Sequence, residues 1–152
     1  MYRIMRIAYC FLTLVLLLFA LSCADEPETS TRSQVAPINP NGDTELALLM
    51  REMFDDAMRM KTQIQNDEPP KVRKHFTTML TAEATEPEKA ASPEYKTFAN
   101  THLALLKALE KAPASEAESV YRSLVESCMS CHRAMCPGPM VRIKKLRLPK
   151  AQ

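Results

Sequence analysis

Glycine occurs only twice in the 152 residues, at Gly42 and Gly138, and the two bracket the body of the chain. Strand signals are absent between them. The Met, Leu, Ala, Lys and Glu content favours helix, and the breaks are made by proline instead, at Pro69-Pro70, Pro87, Pro93, Pro113 and Pro137. Such a chain has few ways to fold other than as an all-α protein.

Period and breakers give four helical stretches. The first spans about Asp43 to Asn66, capped by Asp43 or Thr44, with Leu46, Leu49, Met50, Met53, Phe54, Ala57, Met60 and Ile64 on one face. The second follows Pro69-Pro70, which suit a first helical turn, and carries Val72, Phe76, Met79 and Leu80. A loop with Pro87 precedes the third, which starts at Ser92-Pro93-Glu94 and places Tyr95, Phe98, His102, Leu105 and Leu109 at spacings of three and four. The fourth follows Pro113-Ala114-Ser115, presents Val120, Leu124, Cys128, Cys131 and Met135, and ends at Pro137-Gly138-Pro139. Short connections favour an antiparallel up-down four-helix bundle over residues 43–136.

The ends read differently. Arg3 and Arg6 followed by the apolar run Ile7 to Leu21 have the form of an export signal over 1–22, too short for an ordinary membrane span. Ala20-Leu21-Ser22-Cys23 resembles a bacterial lipoprotein lipobox, so Cys23 is the expected lipidated residue. Simple secretion and an uncleaved anchor are the alternatives. Residues 23–42, rich in Pro, Ser, Thr and acid, read as a flexible tether. The chain is then expected on the periplasmic side of a bacterial envelope, held to the membrane by lipid or soluble in the periplasm.

Net charge is +2, and removing Arg3 and Arg6 leaves 18 basic against 18 acidic residues. The distribution is uneven. No acid follows Glu126, whereas Arg133, Arg142, Lys144, Lys145, Arg147 and Lys150 do. Residues 137–152 therefore read as a basic extension, solvated or docked to an acidic redox partner, to anionic lipid or to the propionates of a haem. Nucleic acid is excluded as a partner by the export signal and the scarcity of stacking aromatics.

The chemistry sits in Cys128-Met129-Ser130-Cys131-His132. Thiols three apart on a helix project from neighbouring positions of one face. At that separation they can form thioethers with the two vinyl groups of a haem, and the next residue, His132, can then ligate the iron. One covalently bound haem c is the implied cofactor. Two other readings compete: a Cys128–Cys131 redox disulfide, which expects a βαβ context, and a zinc site from Cys128, Cys131, His132 and Cys136, in which adjacent Cys131 and His132 are awkward joint ligands.

A C-x-x-C-H in the last of four helices resembles the class II c-type cytochromes, the cytochrome c-prime family, over residues 43–136. After His132 the sequence departs, since Cys136-Pro137-Gly138-Pro139 and the basic run through Leu148 form an extension that marks a divergent member.

The second axial position separates an electron carrier from a gas binder. In an up-down-up-down bundle the C-terminal end of the fourth helix lies beside the N-terminal ends of the first and third. His132 is about 6 Å from its helix end, Met50 about 9 Å from the start of the first helix and Met53 about 14 Å. Met50 is the expected ligand and Met53 the alternative, with His75 and His102 behind them. The resemblance agrees, because six-coordinate members place a methionine in the first helix. His102 reads as a buried, hydrogen-bonded core residue and His75 as a surface one. Tyr95 and Phe98 are expected to wall the site, and Arg133, Arg142, Lys144 and Lys145 to be solvated or to meet propionates. Cys136 has no evident partner, leaving a free buried thiol or a disulfide-linked homodimer.

The expected function is electron transfer with a redox partner of the envelope. No separate catalytic constellation occurs, so no enzyme activity is expected. The alternative is a five-coordinate haem binding nitric oxide or carbon monoxide.

Overall fold

Thr44 starts the first long helix by accepting the Ala47 amide on its hydroxyl, a standard N-cap. The computed structural model describes residues 42–149 and Tyr2. The expected signal segment, Cys23, the tether before Gly42 and Lys150 lie outside the described residues. Among the described residues there is no strand, and no helix is long and apolar enough to cross a membrane.

Helix α1 (Glu45–Gln65) buries Leu49, Ala57 and Met60. It ends in a Schellman motif: the Asp67 amide donates to Ile64 O and the Glu68 amide to Gln63 O, with Asp67 in the left-handed region at φ 57°. The chain then leaves the helix axis, and Pro69-Pro70 prevent any return.

The expected second helix is not formed. Residues 68–76 run without helix as a strap, followed by a 3-10 turn, η1 (Thr77–Leu80). The reason lies in α1. Gln63 Oε1 accepts the Lys71 amide, and the Arg59 guanidinium donates to the Lys71 carbonyl, so side chains supply the backbone partners that a helix would otherwise provide. Phe76, at φ 51°, accepts a left-handed conformation costing about 1–2 kcal/mol and is buried by it. The apolar residues do go inside: Phe76 and Met79 are buried, and Val72 and Leu80 partly so.

A short helix, α2 (Pro87–Ala91), stands where a loop is expected. Ser92 closes it and caps α3 (Pro93–Lys111) by accepting the Tyr95 amide. Pro113 leads into α4 (Ala114–Met135), and the Cys136 amide closes its last turn on His132 O. Helices α3 and α4 make the main helix–helix contact, and α1 packs on α4.

The basic extension is not a solvated tail. It forms α5 (Met140–Ile143) and a second 3-10 turn, η2 (Lys144–Leu146), and buries Ile143, Leu146 and Leu148 while its cations stay exposed. Each such side chain contributes roughly 1.5–3 kcal/mol by leaving water, which outweighs the solvation preference of neighbouring lysines whose heads remain wet. Tyr121, at 0% exposure, places its hydroxyl 3.0 Å from both Ala57 O and Leu146 O. That one group ties α1, α4 and the C-terminal segment together.

Candidate functional site

The last turn of α4 fixes His132 from two directions. Cys136 donates its amide to His132 O, and the His132 ring places Nδ1 3.1 Å from Cys136 O and 3.2 Å from Cys136 Sγ. A carbonyl can only accept, so Nδ1 carries the proton and Nε2 keeps its lone pair. Burial also lowers the imidazole pKa, so the ring is neutral at neutral pH. This is the arrangement in which a histidine ligates a metal through Nε2 while a backbone carbonyl holds the other nitrogen.

Beside it opens a cleft of about 380 Å³, within the range of small-molecule and cofactor sites. Its walls are mostly apolar, with Leu46, Met50 and Phe54 from α1, Tyr95 from α3, Met135 from α4 and Ile143 from α5. Cys131, His132 and Cys136 face the same space. Cys128 faces an adjoining cavity of about 50 Å³ together with Met53, His102 and Phe76. Met50, Phe54, His132 and Ile143 belong to both walls.

The structure thus brings Cys131, His132 and Met50 to one cleft. It places Met53 and Cys128 on the smaller cavity only. Tyr95 lines the cleft and donates its hydroxyl to Met79 O at 2.7 Å, whereas Phe98 packs in the core away from it. His102 is buried, and its Nδ1 lies 3.1 Å from Ser127 Oγ. Because that hydroxyl already donates to Leu124 O, Nδ1 is the donor. His75 is half-exposed, 3.6 Å from Glu110.

The three cysteines at the site, Cys128, Cys131 and Cys136, are held as thiols. Burial, then the neighbouring Cys131, pushes Cys128 up to about 12; burial, then Cys136 and Glu94, pushes Cys131 up to about 11. Burial raises Cys136 as well, against the opposing pull of Lys89. A thiol–disulfide redox site needs the reverse, a thiol acidified by its surroundings. Among the described residues no three His, Cys, Asp or Glu side chains are grouped to hold a metal ion.

Cations do reach the cleft, though mostly not those singled out above. Arg133, Lys144 and Lys145 are exposed and away from its wall. Arg142 is on the wall, 4.4 Å above the Phe54 ring. Arg51 and Lys89 join it, paired with Asp43 and Glu86 respectively. Sequence reasoning missed both, since nothing in the sequence brings Lys89 of a short helix against the Met135 carbonyl, 3.3 Å away. It also missed the part played by Cys136, whose signal is the proline that follows it.

A haem fits the chemistry of these donors: neutral thiols, an imidazole with a free Nε2, a thioether and an apolar wall with cations at its edge. A group joined to both thiols must span the wall that Phe54 and Ile143 share between the two spaces. Comparison with protein-family models, with curated proteins and with solved structures finds no match to this chain.

Proposed function

We propose that this chain is a monohaem c-type cytochrome that carries electrons at the bacterial envelope. The observation that supports it best is His132. It directly follows Cys128-x-x-Cys131, its tautomer is set by Cys136 O so that Nε2 is free, and it faces an apolar cleft together with Met50. Cys128 and Cys131 would hold the group as thioethers, and His132 and Met50 would ligate its iron. When bound, the haem supplies a one-electron Fe(III)/Fe(II) couple. The protein's part is to fix the imidazole, to exclude water with Phe54, Tyr95 and Ile143, and to present Arg51, Lys89 and Arg142 to acidic groups at the edge.

The finer fold assignment belongs to the same proposal: a divergent class II type bundle in which the strap stands in for the second helix. So do export, lipidation at Cys23 and a redox partner of the envelope. Expression with a c-type maturation system should give a Soret band and a haem-stained band that survives denaturing electrophoresis. Replacing Cys128 and Cys131 by alanine should abolish the stained band, and a wild-type chain without covalent haem refutes the reading. Adding carbon monoxide to the reduced protein should leave the spectrum nearly unchanged if Met50 ligates, whereas an immediate shift marks an open position and the gas-binding alternative.

A further inference from the structure

The inward face of α1 carries one acid among its apolar residues. Asp56 follows Met53 by three positions and precedes Met60 by four, which places it on the same side of the helix. Its side chain is only 10% exposed. Oδ1 pairs with the Arg59 guanidinium. Oδ2 is buried and has no hydrogen-bond partner among the protein atoms.

Asp56 belongs to the wall of the cavity of about 50 Å³ that also holds Cys128, His132 and His102. Arg59 is not part of that wall, because its other contacts lead away, to Gln63 Oε1 and Lys71 O. The pair is therefore oriented, with the carboxylate toward the cavity and the guanidinium toward the strap. The other titratable side chains facing the space are His102, the proposed ligand His132 and Cys128. No other Asp or Glu, and no Lys or Arg, stands on that wall. A cavity of that size also admits water to hydrogen-bond Oδ2.

A half-paired buried carboxylate costs folding energy, and the ion pair with Arg59 engages only Oδ1, leaving Oδ2 toward the cavity. We propose that Asp56 sets the reduction potential of the iron centre. Its negative end, beside Cys128 and His132, stabilises the more positive oxidised state in a low-dielectric site and lowers the potential. This rests on the cytochrome reading above.

The test is the midpoint potential of the haem-loaded protein, measured by spectroelectrochemistry at fixed pH. Asp56→Asn should raise it, Arg59→Gln should lower it by leaving the carboxylate uncompensated, and Asp56→Glu should leave it near the wild-type value. A purely structural role for the pair predicts shifts of the same sign for Asp56→Asn and Arg59→Gln, since either change loosens the same strap. Same-sign shifts, or an unchanged Asp56→Asn potential with covalent haem intact, overturn the inference and leave the cytochrome reading standing. If Asp56→Asn does not fold, Asp56→Ser carries the test: a raised potential supports the inference and an unchanged or lowered one overturns it. A wild type without covalent haem removes both.

Discussion

The segments that follow α1 and α4 start alike, each breaking from a long helix at proline, and are held by opposite means. The strap after α1 is fixed by polar bonds from its own helix: Gln63 and Arg59 take both backbone groups of Lys71, and only Phe76 at its far end is buried before η1. The segment after α4 buries Ile143, Leu146 and Leu148 and lends carbonyls to Tyr121, Lys61 and Arg122. Both ends meet at the small cavity beside Cys128, which Phe76 and Leu146 help to wall. The strap is thus a surface clasp with one anchor, and the C-terminal segment is a piece of the core. Polar bonds exposed to water exchange for water at little net cost, whereas buried apolar surface does not.

The largest effect should come from breaking the apolar side of that contrast. Leu146→Ala should cost about 2–5 kcal/mol, a large share of a small domain's stability. Val72→Ala in the partly buried strap should cost under about 1 kcal/mol. Urea unfolding followed by circular dichroism measures both. Equal losses mean that the strap and the C-terminal segment are not held differently after all.

Acid should strike where the two segments meet. Burial lowers His102 to about 4 from the ordinary 6.5, so the folded state resists protonation while the unfolded chain accepts it. Above pH 6.5 both states are neutral and this group has no effect. As pH falls from 6.5 toward 4 only the unfolded state gains the proton, and about 3 kcal/mol of stability is lost before the curve levels. The shift of His132 has the same sign and adds to the loss. His102→Gln should flatten the stability–pH profile over that interval, and an unaltered slope would show that His102 is not the group responsible.

How far the sequence shows all this depends on where each segment finds its backbone partners. Helices α1, α3 and α4 are legible because their caps and breakers are local: Thr44, Ser92 and Pro113 stand at their starts, and Asp67-Glu68-Pro69 and Cys136-Pro137 just past two of their ends. The strap is not, because Val72, Phe76, Met79 and Leu80 repeat at a helical period while Gln63 and Arg59, up to 12 residues earlier, decide its conformation. Arg142, Lys144, Lys145 and Arg147 hide the inward spacing of Ile143, Leu146 and Leu148. In α4 the expected stripe ran along Cys128 and Cys131, yet Tyr121, Val125 and Met129 are the more deeply buried. At the site, the motif and Met50 are visible as residues. The cleft that unites them with Arg51, Lys89 and Arg142 is assembled from separate elements and has no sequence signature. Asp56 did leave a signal, an acid at a core position of an amphipathic face.

The smallest effect tests the polar clasp itself. Gln63 Oε1 accepts from the Lys71 amide at 3.1 Å and from Arg59 Nη1 at 2.8 Å. Truncating it in Gln63→Ala leaves an exposed amide that water can satisfy, so the net cost should be only about 0.5–1 kcal/mol. Global unfolding will barely register it. Amide exchange will, because opening the strap requires losing that acceptor and little else. Exchange at Lys71 should therefore quicken several-fold, while the Arg147 amide, closed on Lys144 O within the C-terminal segment, keeps its rate. If Arg147 quickens in step with Lys71, the two segments open as one unit and the strap is a part of the core. If only Lys71 responds, the chain can loosen on the strap side of the Cys128 cavity while its other wall stays closed, and that is the side on which Asp56 and Arg59 are joined.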